Sequence, residues 1–269
     1  MPEESISMIR AVSPEPSSAE WGSEGYFSAK LAVSPSSDPF FDYERNALQR
    51  RRIVLTARFF AAAVRPGGRI LDVGCATGEL THALSRESRA RETVAIDFVA
   101  EMLDVARQRH PGIRFERVTL PGLPFDDASF DAVACAEVLY YLSPNDRRAF
   151  LGECRRMLRP GGTVVIAANS GGGAYLDQRE AAREFGISGF RVVASRDAYL
   201  GLASWFLRGL RALERRGAGS VTAYRAFHRA AVRSCGTVQL LESVGRAIPL
   251  VGRSHSFWAL QPFASMEGG

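Results

Sequence analysis

Lysine is nearly missing from this chain: Lys30 is the only one among 34 lysines and arginines, so the formal net charge of +5 is an arginine charge. Guanidinium groups pair with carboxylates and phosphates in planar, two-bond geometry. A nucleic-acid partner would require a clustered basic stripe with interleaved aromatics. The basic clusters here, such as Arg50-Arg51-Arg52, are short, and that class of partner is set aside. Long apolar runs are missing too. No apolar run reaches about 18 residues without a charge, so no ordinary membrane-spanning helix is expected. The chain opens Met1-Pro2-Glu3-Glu4-Ser5 rather than with the basic-then-apolar order of a secretory signal, so the cytoplasm is the expected compartment. Only four cysteines occur, Cys75, Cys135, Cys154 and Cys235, widely spaced and without metal-ligand pairing. They read as small buried hydrophobes. Four histidines, His82, His110, His228 and His255, show no metal spacing either, and no metal is expected.

What is present is enough apolar material for a core: 46% of 269 residues are hydrophobic. Between residues 65 and 198 short apolar runs alternate with helical patterns, which predicts an α/β sheet with helices on both faces. Strands are expected near 69–73, 92–96, 113–116, 131–135 and 162–168, with helices near 78–86, 99–109 and 144–158. Gly161-Gly162 reads as a helix stop. A sixth strand is expected at Phe190–Ala194 and a seventh at Ser256–Leu260.

The first crossover carries the chemistry. Arg69-Ile70-Leu71-Asp72-Val73 is a buried-strand pattern that runs into Gly74-Cys75-Ala76-Thr77-Gly78, whose glycines permit a tight turn and close approach of a ligand. A helix follows, and its free N-terminal amides suit a carboxylate. About 20 residues on, the next strand ends in Asp97, where a carboxylate can accept from both hydroxyls of a ribose. The dinucleotide fingerprint fits poorly, because Gly-x-Gly-x-x-Gly begun at Gly74 puts Ala76 and Glu79 in glycine positions. A nicotinamide-dependent oxidoreductase is therefore the alternative reading.

The pattern resembles the class I S-adenosylmethionine-dependent methyltransferases. The resemblance extends to Leu123-Pro124-Phe125-Asp126-Asp127-Ala128-Ser129-Phe130-Asp131, which looks like that family's entry to its fourth strand, and to Leu158-Arg159-Pro160-Gly161-Gly162, which looks like its turn into the fifth. It implies a Rossmann-like seven-stranded sheet and S-adenosylmethionine as cofactor. By motif position Asp72, Gly74, Cys75, Ala76 and Gly78 would surround the methionine moiety, Asp97 would bind the ribose, and Phe98 and Met102 would flank the adenine. Thr119 stands where the family commonly has an Asp for the adenine amino group, so adenine recognition would rest on backbone around Val118, Thr119 and Leu120. The segment Ala136-Glu137-Val138-Leu139-Tyr140-Tyr141-Leu142, at the end of the fourth strand, should lie beside the transferred methyl. Glu137, Tyr140 and Tyr141, with Tyr43 from an upstream helix, are the candidates for accepting a proton or orienting the nucleophile. That segment and Asp38-Pro39-Phe40-Phe41-Asp42-Tyr43-Glu44-Arg45 are similar to the nodulation N-methyltransferase group, which implies a lid and an amine or hydroxyl acceptor on a small, sugar-containing metabolite.

The remaining organisation follows. Residues 1–20, rich in Ser, Pro and Glu, are expected to be a disordered leader. Residues 21–64 form an N-terminal lid, with Trp21, Tyr26, Phe27, Phe40 and Phe41, and then a helix whose Arg50, Arg51 and Arg52 face solvent. Residues 65–198 form the cofactor-binding core, 199–253 a helical cap insertion, and 254–269 the final strand and tail. In the cap, Arg225, Arg229 and Arg233 fall in one row of a helix, either solvated or set to attract an anionic acceptor group or membrane surface. A lipid-linked acceptor is thus a further alternative.

Overall fold

The computed structural model describes residues 23–33, 46–169, 178–203, 206, 234–247 and 254–263. Seven strands form one sheet in the order β3-β2-β1-β4-β5-β7-β6: β1 (Arg69–Val73), β2 (Glu92–Asp97), β3 (Arg114–Arg117), β4 (Phe130–Ala136), β5 (Leu158–Asn169), β6 (Phe190–Ala198) and β7 (His255–Pro262). The first five run parallel; β7 is antiparallel to both β5 and β6. The winding reverses between β1 and β4, and ligands in open α/β sheets bind beyond the strand ends at such a reversal.

Parallel strands covered on both faces should be apolar on both, and β1 has Ile70, Leu71, Asp72 and Val73 all buried. One face carries a core of Phe150, Leu151, Met157, Phe185 and Trp258. The other holds Leu55, Phe59, Phe60, Leu84, Val238 and Phe257. Each fully buried aromatic or leucine contributes about 1.5–3 kcal/mol of transfer free energy.

Helices α1 (Glu24–Val33), α2 (Ala47–Ala63), α3 (Glu79–Glu87), α4 (Ala100–Arg109), α5 (Pro144–Met157), α6 (Gln178–Ile187) and α7 (Cys235–Ala247), with a short 3-10 turn at Leu139–Tyr141, complete the described elements. Their starts are written locally. Asn46 caps α2, its side-chain oxygen accepting from the amides of Leu48 and Gln49. Ser143 caps α5 through the Asp146 amide, with Pro144 in the first turn.

Two expectations are corrected. The fifth strand begins at Leu158, not 162, because Leu158 already pairs with Phe130 across a bulge and Arg159 bonds Asp131 at 2.7 Å; Gly161 (φ 77) turns within the strand. Nor does α2 turn all three arginines to solvent. Arg51 donates to the buried Glu242 of α7 at 2.7 Å, and the Arg52 side chain is only 15% exposed. Residues 1–20, most of the cap with its arginine row, and Tyr43 with its flanking segment lie outside the described residues.

Candidate active site

A cavity of about 280 Å³ lies past the C-terminal ends of β1, β2 and β4, at the reversal of winding. Its floor is the turn after β1. Gly74 (φ 76) sits where a β-carbon would overlap the Val138 side chain, so glycine is required both by conformation and by close approach. The Gly74 and Cys75 amides donate to the Ile96 carbonyl at 2.8 and 3.0 Å, and the Ala76 amide donates to Asp97 Oδ2 at 2.8 Å. These three amides hold the turn to the end of β2, so a carboxylate in the cavity must find other donors.

Asp97 is the hinge of this arrangement. Its second oxygen accepts from the Val99 amide at 3.0 Å, which leaves a lone-pair direction on each oxygen for a pair of hydroxyls. Burial raises its pKa, against the opposing effect of the Val99, Ala76 and Phe98 amides. Phe98, Met102, Thr119 and Leu120 also line the cavity.

Asp72 and Gly78 are placed differently. Neither lines the cavity. Asp72 lies under the turn and accepts from the Thr81 hydroxyl at 2.6 Å, tying β1 to α3. Burial, outweighing that bond and reinforced by the charge of Asp97, pushes its pKa up to about 7. Gly78 (φ 85) precedes α3, and a β-carbon there would come 2.9 Å from the His110 ring. Cys75 does line the cavity, but burial and the charges of Asp97 and Asp72 raise its thiol pKa, so it stays a thiol.

At the far end stand Ala136, Glu137, Val138, Tyr141 and Leu142. Glu137 has φ 61, a conformation that side chains rarely adopt, and its amide donates to the Ala167 carbonyl at 2.8 Å. Tyr140 does not face the cavity. Its hydroxyl donates to Glu137 Oε2 at 2.9 Å, and burial with the Glu137 charge raises its pKa, so it is a donor to Glu137 and no base. Glu137 Oε1 is buried without a hydrogen bond; His255 Nε2 lies 3.6 Å away and Arg52 Nη1 3.9 Å away. Arg52, Ile53 and Thr56 of α2 form one wall, and Phe27 of α1 closes another, edge-on to Phe98 and Tyr141 at ring separations of 5.9 and 5.4 Å.

Residues 70–162 match the model of a family described as methyltransferase domain. Over that span the chain is similar to a methyltransferase domain. A demethylmenaquinone methyltransferase of Deinococcus radiodurans is 41% identical over 102 residues, 36% of this chain and 42% of that protein. The chain thus spans less than half the length of the curated relatives it matches. Among solved structures, the [4+2]-cyclase SpnF aligns at TM-score 0.56 with 19% identity, covering 80% of this chain and 82% of that one. Geranyl diphosphate C-methyltransferase from Streptomyces coelicolor aligns at 0.53 with 16% identity, covering 87% and 89%. At such identities the likeness shows a shared fold, and the printed names span more than one chemistry. S-adenosylmethionine is the cofactor of this domain class, and the residues present fit it: an acid with two open acceptor directions, an aromatic and methionine wall, and a glycine-permitted floor.

Of the residues singled out from the sequence, Gly74, Cys75, Ala76, Asp97, Phe98, Met102, Thr119, Leu120, Ala136, Glu137 and Tyr141 line the cavity, and Asp72, Gly78 and Tyr140 do not. Sequence reasoning missed Arg52 as an inward cation and His255 as a neighbour of Glu137, whereas Phe27, read as part of the N-terminal lid, lines the cavity. For Arg52 the one available signal was its i, i+4 relation to Thr56, which puts both on one stripe of α2. Among the described residues no group of histidine, cysteine and acidic side chains could hold a metal ion, and no helix is long and apolar enough to cross a membrane.

Proposed function

We propose that this protein transfers a methyl group from S-adenosylmethionine to a nitrogen or oxygen of a small-molecule acceptor held among Glu137, Tyr141, Phe27 and the inner face of α2. One observation carries the reading: a single cavity joins Asp97 at one end to Glu137, held at positive φ with an unbonded buried oxygen, at the other.

The bound cofactor supplies an activated methyl carbon. The chain's own task is to hold a nucleophile in line, exclude water and accept a proton. Asp97, Phe98 and Met102 anchor the adenosine end. Phe27 and Tyr141 cover the acceptor side with aromatic surface, and the shared edge contact couples that cover to the adenosine wall through Phe98. Glu137 is the one carboxylate facing this end of the cavity. Tyr43 is kept as a further candidate, although it lies outside the described residues. The apolar walls Ile53, Val138 and Leu142 favour an acceptor with an apolar or aromatic scaffold. A sugar-containing acceptor, which the upstream resemblance implies, and a lipid-linked acceptor are the two scaffolds kept as alternatives.

A second reading, transfer to carbon, is favoured by the name of the demethylmenaquinone methyltransferase relative. Tritiated S-adenosylmethionine offered with an aromatic amine, a phenol, a naphthohydroquinone and an amino sugar separates the two. Label on nitrogen or oxygen is the expected result. Label on the naphthohydroquinone ring carbon supports the second reading, and no transfer to any acceptor class together with no cofactor binding overturns both.

A further inference from the structure

His255 is the first residue of β7, opposite Asn169 of β5 and Ala198 of β6, and its side chain is 16% exposed. Its Nε2 lies 3.6 Å from Glu137 Oε1. Its ring is oriented by its neighbour. Ser254 Oγ accepts from the Leu200 amide at 3.1 Å and donates to the Ala198 carbonyl at 3.2 Å. A hydroxyl has one hydrogen, so with that hydrogen on Ala198 the remaining lone pair of Ser254 Oγ faces His255 Nδ1 at 2.9 Å. Nδ1 is then the protonated nitrogen, and Nε2 presents a lone pair toward Glu137 Oε1 at 3.6 Å.

We infer that Glu137 and His255 form a two-residue proton relay at the acceptor end of the cavity, with Glu137 taking the acceptor's proton and His255 Nε2 receiving it. Accordingly, the acceptor is a compound that loses a proton in becoming methylated. This rests on the methyltransferase reading. As the nucleophile's lone pair forms its bond to the methyl carbon, its N–H or O–H bond breaks and the proton passes to Glu137 Oε1. Transfer to Nε2 then restores the Glu137 carboxylate and leaves an imidazolium paired with it.

The charges around the pair fit the resting state. Arg52 Nη1 lies 3.9 Å from Glu137 Oε1, and the Tyr140 hydroxyl donates to Oε2. Burial lowers the His255 pKa, with Glu137 opposing and Arg52 reinforcing that shift, so the resting ring is neutral and able to receive a proton. His255 is a positioning and relay residue; Glu137 is the group facing the acceptor.

The test uses full-length protein saturated with S-adenosylhomocysteine and ring-15N histidine NMR, which is tractable because the chain has only four histidines. His255→Asn assigns the resonance. The asparagine amide replaces the Nδ1 donor to Ser254 and removes Nε2, so it tests the relay without removing the structural bond. At neutral pH the expected spectrum is an Nδ1–H tautomer with Nε2 unprotonated, and Glu137→Gln is expected to lower the pH at which this ring titrates. An Nε2–H tautomer, or a titration indifferent to Glu137→Gln, overturns the inference. With the acceptor found in the labelled panel, His255→Asn should lower kcat at least tenfold with KM little changed. Unchanged kcat would also overturn it. Failure to bind S-adenosylhomocysteine at all would instead overturn the reading on which the inference rests.

Discussion

At the scale of single residues, burial of charge decides most of what the site can do. Asp72 is the clearest case. Its pKa in an unfolded chain lies near 3.8 and burial raises it to about 7 in the fold, so the folded protein prefers the protonated carboxyl. The contribution is therefore fully present below the unfolded value, declines as pH rises between the two values, and is gone above the folded one. Asp72→Asn, which can still accept from Thr81, should match the wild type near pH 4 and exceed it at pH 8 by about 2–4 kcal/mol, at 1.36 kcal/mol per pKa unit. Urea unfolding at the two pH values measures this, and equal differences at both would show that the carboxyl is not strained by burial. Tyr140 and Cys75 follow the same rule: burial raises both, holding one as a hydroxyl donor to Glu137 and the other as a passive wall.

Among the elements, α1 is the one whose role depends on contacts far along the chain. It is tied down by Glu24 to Arg117 at 2.8 Å and Ser28 to Glu101 at 3.1 Å, both exposed, and by the Phe27 ring wedged against Phe98 and Tyr141. Exposed ion pairs contribute about 0–1 kcal/mol, whereas each aromatic edge contact adds about 0.5–1.5 kcal/mol beyond its buried area. The rings should therefore dominate. Phe27→Ala is expected to weaken S-adenosylhomocysteine binding roughly tenfold, equivalent to about 1.4 kcal/mol, while Glu24→Gln changes it less than twofold and neither alters the unfolding midpoint appreciably. Calorimetric titration of both variants decides the matter, and a larger effect at Glu24 would contradict the assignment. The strands, by contrast, were legible in sequence because their signal is local: apolar runs bounded by glycines, with Asp97 at a strand end. What was not legible is the inward face of α2 and the neighbours of Glu137. Arg52 sits in a run of three arginines whose periodicity does not say which one turns inward, and His255 meets Glu137 only because β7 enters antiparallel beside β5, pairing residues as distant in sequence as Val164 and Leu260.

For the whole molecule, the reversal between β1 and β4 brings the Asp97 and Glu137 ends into one cavity, and α1 and α2 fold over it. The glycine turn is legible as the floor of the cavity, but three of its amides are bonded to β2, and Asp72 and Gly78 do not line the cavity. The spacing of a motif marks where the chain must pass, not which of its atoms meet the ligand. The central claim is that this cavity is an S-adenosylmethionine site in which Asp97 holds the ribose. Calorimetric titration of the full chain with S-adenosylhomocysteine, beside Asp97→Ala checked for folding, tests it most directly. Two hydrogen bonds to a charged acceptor, at about 1.5–3 kcal/mol each, predict saturable binding by the wild type and a loss of roughly a hundredfold or more in the variant. No binding by the wild type, undiminished binding by Asp97→Ala, or binding of a reduced nicotinamide dinucleotide in its place would contradict it.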